Sequence, residues 1–191
     1  MQILGLVLAP GASADSAHQG LVAAERALPN LTTARIDFPY VKLGKKIPDR
    51  AEILIETVAT ATYELAEKLG VSTKAIAVGG RSMGGRMASM AVAGGLEVAA
   101  LVLISYPLHP PGKPERQRTG HFAQISVPCL FVSGTKDAFG TPDELSAASK
   151  LIKPAPKVVF LEKGNHGLTN LHDRAAREVA TFIDALNKNL S

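Results

Sequence analysis

A single cysteine stands among the 191 residues. No intramolecular disulfide can form, so a disulfide-stapled secreted scaffold is excluded. Cys129 falls in the apolar run 127–132, where a packed core thiol is expected. Long apolar runs are also missing. The first, residues 3–9, is too short to span a bilayer and no basic residue precedes it, so it reads as a strand, with no membrane association and no secretion signal. With the cysteine count this implies a reducing, cytoplasmic setting. Clustered positive charge is scarce: the chain has 21 Lys and Arg against 17 Asp and Glu, but only Lys45-Lys46 forms a run. Such scatter is a solvated surface and no nucleic-acid partner is expected. No His/Cys/Asp/Glu grouping has the spacing of a structural zinc site, and neither metal nor cofactor is implied. There is no internal repeat and no interdomain linker, so residues 1–191 are expected to form one domain.

What the chain does contain is a regular alternation. Apolar strand-like runs at 3–9, 34–38, 75–78, 99–105, 127–133 and 157–161 alternate with helix-like segments. The helices are predicted at 16–27, with Asp15 or Ser16 as N-cap, at 49–69, 83–93 and 142–152, and from 170 to 190. In the long 49–69 helix, Ile53, Val58, Ala61 and Leu65 are expected on the buried side. Residues 107–122 hold four prolines and several charges and read as an irregular surface excursion. Continuous apolar strands alternating with helices predict a three-layer, doubly wound, six-stranded parallel sheet covered on both faces. In such sheets ligands bind beyond the carboxyl ends of the strands, where the strand order reverses.

The stretch 74–90, KAIAVGGRSMGGRMASM, organises the rest. Gly80-Arg81-Ser82-Met83-Gly84 fits G-x-S-x-G, a turn that lifts a serine out between a strand and a helix. With 17 glycines in the chain the pattern arises easily by chance, so its context decides. Here an apolar strand precedes it and a helix ended by Gly94-Gly95 follows. A serine hydroxyl needs a base to take its proton, and the base needs a carboxylate to orient it. Asp137 and His166 each follow a strand and a glycine turn. The other histidines fit less well: His18 and His172 fall in predicted helices, and His109 and His121 in the proline-rich excursion. Asp143 is the rival acid, but Thr141-Pro142-Asp143-Glu144 reads as a first helical turn. An oxyanion would need N–H donors, expected from Met83 and, in the loop after the first strand, from Ala12. Arg81 either supports the elbow or meets an anionic acyl group. Tyr106 and His109 are candidate walls of a shallow pocket under the 106–122 lid.

These residues resemble the α/β-hydrolase superfamily, near its dienelactone-hydrolase-like branch, and within it the small KANL/Tex-type group. The matching stretches are GGRSMGGRMAS (79–89), LISYPLHPPGK (103–113), LFVSGTKD (130–137) and LEKGNH (161–166), with APGASAD (9–15) as the weaker oxyanion-loop counterpart. The resemblance spans nearly the whole chain. It implies sheet order 2-1-3-4-5-6, a minimal fold without a cap domain, and the catalytic order Ser82, Asp137, His166. Pro10 stands where many relatives have histidine. Ser82 stands where dienelactone hydrolases carry cysteine, so their substrate is not carried over. The expected activity is hydrolysis of a small ester, thioester or related acyl bond through an acyl-enzyme, with a small-molecule acyl substrate as partner. The group includes scaffolding subunits, so a non-catalytic binding module is the competing class. Acyl transfer or perhydrolysis at the same three residues is the third.

Overall fold

Apolar side chains at consecutive positions cannot all face one core, because a strand sends alternate residues to opposite faces. The computed structural model, which describes residues 2–188, resolves this with two cores. The strands are β1 (Gly5–Ala9), β2 (Thr32–Arg35), β3 (Ile76–Arg81), β4 (Ala100–Ile104), β5 (Cys129–Gly134) and β6 (Lys157–Leu161). All pair in parallel in the order β2-β1-β3-β4-β5-β6. Every residue of β1, β4 and β5 is buried.

The helices are α1 (Gln19–Arg26), α2 (Pro39–Lys42), α3 (Ala51–Leu69), α4 (Met83–Ala93), α5 (Pro142–Ser149) and α6 (His172–Lys188). Val7, Val78, Leu101, Leu103 and Phe131 face α3, α4 and α5. Leu6, Leu8, Ala77, Val102, Leu130 and Val132 face α1 and α6. The three-layer, doubly wound architecture and the strand order agree with expectation, and among the described residues no further domain is inserted over the sheet. Cys129 is a free, buried thiol whose pKa burial pushes up.

Several boundaries differ for physical reasons. Helix α1 starts at Gln19, with His18 as N-cap, instead of at Ser16. The Ser16 N–H and hydroxyl are both taken by the Asp37 carboxylate at 2.6 and 3.0 Å, and Asp15 caps the Ala17 N–H at 2.9 Å, so neither can cap the helix. Ile53 lies on the exposed side of α3, whose buried residues are Leu54, Val58, Thr62, Leu65 and Ala66. A five-residue step from Ile53 to Val58 spans more than a turn, so the two cannot share a face. Helix α6 begins two residues later than expected; residues 189 and 190 of that prediction lie outside the described residues. The 107–122 segment is no surface excursion at its ends. Leu108 and Phe122 are buried, and Tyr106, just before it, packs on Phe122 and Phe131 with ring centroids 5.3 and 5.8 Å apart.

The switch in strand order falls between β1 and β3, and there the backbones meet. Gly84, in the first turn of α4, lies against the end of β1: a Cβ there would meet the Ala9 and Pro10 carbonyl oxygens. Gly84→Ala would gain about 1 kcal/mol in intrinsic helix propensity. The forced separation of α4 from β1 outweighs that gain. We expect a net loss of about 2 kcal/mol, read as a lower urea midpoint at unchanged slope.

Candidate active site

Strand β3 ends at Arg81, α4 begins at Met83, and Ser82 between them holds φ 51° and ψ −119°. A positive φ in a residue with a Cβ costs on the order of 1–3 kcal/mol and persists only where the surroundings enforce it. Here the Ser82 N–H donates to the Ile104 carbonyl at 2.9 Å, extending the β3–β4 pairing. Its carbonyl accepts from the Arg86 N–H at 3.0 Å, which starts the helix. The residue is pinned from both sides and its hydroxyl projects from the tip.

That hydroxyl donates to His166 Nε2 at 2.8 Å. On the other side of the ring, Nδ1–H donates to the Asp137 carboxylate, with both oxygens at 2.9 Å. The Phe139 N–H holds Asp137 Oδ1 at 2.8 Å. The Asp137 side chain is 1% exposed and that of His166 19%, so the carboxylate is shut away from water while one edge of the imidazole stays open. The Phe139 ring stacks on His166, centroids 4.0 Å apart. Two glycines bring the loops together. A Cβ on Gly134 would strike the Gly164 backbone, and Lys136 N–H donates to the Gly164 carbonyl at 2.8 Å. Asp143 makes no hydrogen bond or ion pair with His166 among the described residues; it sits in the first turn of α5, which Thr141 and Glu144 close as a capping box.

Ser82, His166, Ala12, Met83, Arg81 and Phe139 all line one crevice of about 570 Å³. As the first residue of α4, Met83 has no acceptor for its N–H within the helix. The Ala12 carbonyl is held by the Tyr40 hydroxyl at 2.8 Å, which fixes the loop after β1. Arg81 supports: its Nη2 donates to the His166 carbonyl at 3.1 Å, joining the elbow to the histidine loop.

Two expected wall residues lie elsewhere. Tyr106 is buried, its hydroxyl donating to the Arg118 carbonyl at 2.7 Å, and burial raises its pKa well above the usual tyrosine value. His109 is also buried, with Nδ1–H donating to the Pro110 carbonyl at 2.8 Å and Nε2 3.4 Å from Glu144. Both point back into the fold and anchor the segment. Instead Pro107 and Arg118 of that segment reach the crevice, so part of the expected lid does line it.

The sequence reading sets His18 aside as a helix residue and gives no site role to Tyr40, Arg86, Arg118 or Phe139. His18 lines the crevice from the α1 N-cap. Its Nδ1 accepts the Gly20 N–H at 3.0 Å, and burial, then Arg81 and His172, lower its pKa. Only Arg86 carried a readable signal, since four residues along a helix returns to the face of Ser82.

The α/β hydrolase domain family matches this chain over residues 3–190. The chain belongs to that family. Solved α/β-hydrolase folds superpose on it at low identity. A lidless α/β serine hydrolase from Xanthomonas campestris aligns with TM-score 0.78 and 17% identity, over 97% of this chain and 83% of its own. The ferulic acid complex of Est1E from Butyrivibrio proteoclasticus gives 0.74 and 17%, over 96% and 89%. A dienelactone hydrolase from Anabaena variabilis gives 0.69 and 17%, over 92% and 84%. At such identities the likeness is one of fold. Among this α/β-hydrolase's described residues, no helix is long and apolar enough to cross a membrane and no group of three or more His, Cys, Asp and Glu could hold a metal.

The imidazole–carboxylate pair has a direct spectroscopic test. The Nδ1 proton of His166, held between ring and carboxylate, is expected as a far-downfield proton resonance. It should vanish in Asp137→Asn and survive in Asp143→Asn. Survival in Asp137→Asn would show that another group orients the ring.

Proposed function

We propose that this α/β-hydrolase is a serine hydrolase that cleaves a small ester, thioester or related acyl bond through an acyl-enzyme. The 2.8 Å contact from the Ser82 hydroxyl to His166 Nε2, made from a strained turn, carries this reading. A purely structural serine has no need of a turn that costs energy and aims its oxygen at an imidazole.

The chemistry follows from the geometry. Ser82 Oγ attacks the acyl carbon as its proton passes to His166 Nε2. The resulting imidazolium lies against Asp137, a carboxylate too buried to be screened by water. Negative charge collects on the former carbonyl oxygen, where the Met83 and Ala12 N–H groups would stabilise it, aided by the positive end of α4. His166 returns the proton to the departing alcohol or thiol. Water then repeats the sequence on the acyl-enzyme and frees Ser82. Every step is carried by side chains and N–H groups of the chain itself, so we propose no cofactor or metal. The single buried thiol fits a reducing, cytoplasmic setting, and one sheet with two cores fits one domain over 1–191.

A fluorophosphonate tests this without knowledge of the substrate. It should label Ser82 of the native protein, and heat-denatured protein, Ser82→Ala and His166→Ala should lose the label. Removing either residue should also cut any esterase turnover by about 10⁴-fold or more. Native, folded protein that resists the probe over hours would replace this reading with a non-catalytic binding module.

A further inference from the structure

The walls of the Ser82 crevice carry charge of one sign. Arg81, Arg86 and Arg118 line it, and among the described residues no aspartate or glutamate does. Asp137 lies behind His166 and is engaged by it; its charge favours the Arg81 cation, and it makes no ion pair with Arg86 or Arg118 among the described residues. Two of the six arginines outside the crevice meet carboxylates: Arg35 pairs with Glu25 at 2.8 Å, and Arg26 reaches Asp173 at 4.0 Å. None of the three crevice arginines has such a pair among the described residues.

Their hydrogen bonding separates them. Arg81 commits Nη2 to the His166 carbonyl, although its Nε is buried without a partner. Arg118 is held in place by its own segment: its N–H donates to the Leu108 carbonyl at 2.7 Å, its carbonyl takes the Tyr106 hydroxyl at 2.7 Å, and one guanidinium nitrogen, Nη1, reaches the Pro107 carbonyl at 3.3 Å. The other terminal nitrogen is left for a ligand. Arg86 makes no guanidinium hydrogen bond among the described residues, and its Nε is buried without a partner. It follows Ser82 by four residues on α4 and so rises from the same face. Arg86 and Arg118 are both half-buried, and neither has a counter-ion among the described residues. Burial, then the charge of Arg86, lowers the pKa of Arg118, and the same two causes push His121 down to about 4. Leaving charged donors unmatched in a crevice is costly unless an anion completes them.

We propose that the substrate carries an anionic group, carboxylate or phosphate, that docks on Arg86 and Arg118 beside Ser82. The proposal rests on the hydrolase reading for the word substrate, but the anion site stands on the arginines alone. Guanidinium forks match the planar or tetrahedral oxygens of such groups, and the positive end of α4 adds to their field. The segment carrying Arg118 is thus a specificity element. Its buried anchors, Tyr106 and His109, set the position of the guanidinium without touching substrate.

Binding to Ser82→Ala separates recognition from turnover. By calorimetry, monoethyl succinate is expected to bind at least about tenfold tighter than diethyl succinate, as one charge-assisted contact provides. Arg86→Gln and Arg118→Gln, each introduced singly into that protein, should erase most of the preference. Inorganic phosphate competing more strongly than monoethyl succinate would assign the site to a phosphorylated substrate. Diester binding as tightly as monoester, or a preference that outlasts both arginine substitutions, would overturn the proposal. Fluorophosphonate labelling of Ser82 without an anion preference leaves the hydrolase and removes the anion site. Anion preference without labelling does the reverse.

Discussion

Everything at the mouth of this sheet depends on how closely three backbones can pass at the β3–α4 turn. Ser82 is held at a φ that disfavours any side chain, and the chain tolerates it because glycines on either side leave no Cβ in the way. Gly80 has φ 157° and its missing side chain would strike Ala9; Gly84 faces the same strand end. The loop after β1 therefore lies directly against the elbow, and Ala12, Ser82 and Met83 line one space. A wider turn would move the serine and the loop apart together.

A second close approach builds the other half of the site. Gly134 and Gly164 touch backbone to backbone, which brings Asp137 and His166, far apart in sequence, within one hydrogen bond. Burial then differentiates the pair: the carboxylate is enclosed and the imidazole keeps an open edge. A low-dielectric setting on one side and access on the other is what a base needs if it is to become transiently charged. The arginines on the remaining walls set up a positive field, and among the described residues no aspartate or glutamate lines the crevice to offset it.

Local chemistry was legible in the sequence and tertiary capture was not. The bounds of α4 follow from Gly-x-Ser-x-Gly at its start and Gly94-Gly95 at its end, and those of β6 from an apolar run bounded by proline and glycine. The strand order came from family resemblance, since no local pattern encodes it. The start of α1 departs from the local pattern because Asp37, twenty-one residues after Ser16, takes that serine's hydrogen bonds. Tyr106 and His109 read as pocket walls because they fall in the expected 106–122 lid, but sequence position does not say which way a side chain points. Tyr106 turns to Phe122 and Phe131, and Arg118 faces the crevice in its place. The grip of Tyr40 on Ala12 spans 28 residues and leaves no trace in local pattern.

The most direct measurement on the Ser82–His166–Asp137 chain is a rapid acid quench with p-nitrophenyl acetate, followed by intact-mass and peptide mass spectrometry. An acetyl group carried by Ser82, appearing within the first turnover and decaying as the ester is exhausted, is the expected result. Release of p-nitrophenol with no adduct, or with the acetyl group on another residue, would contradict a Ser82 acyl-enzyme.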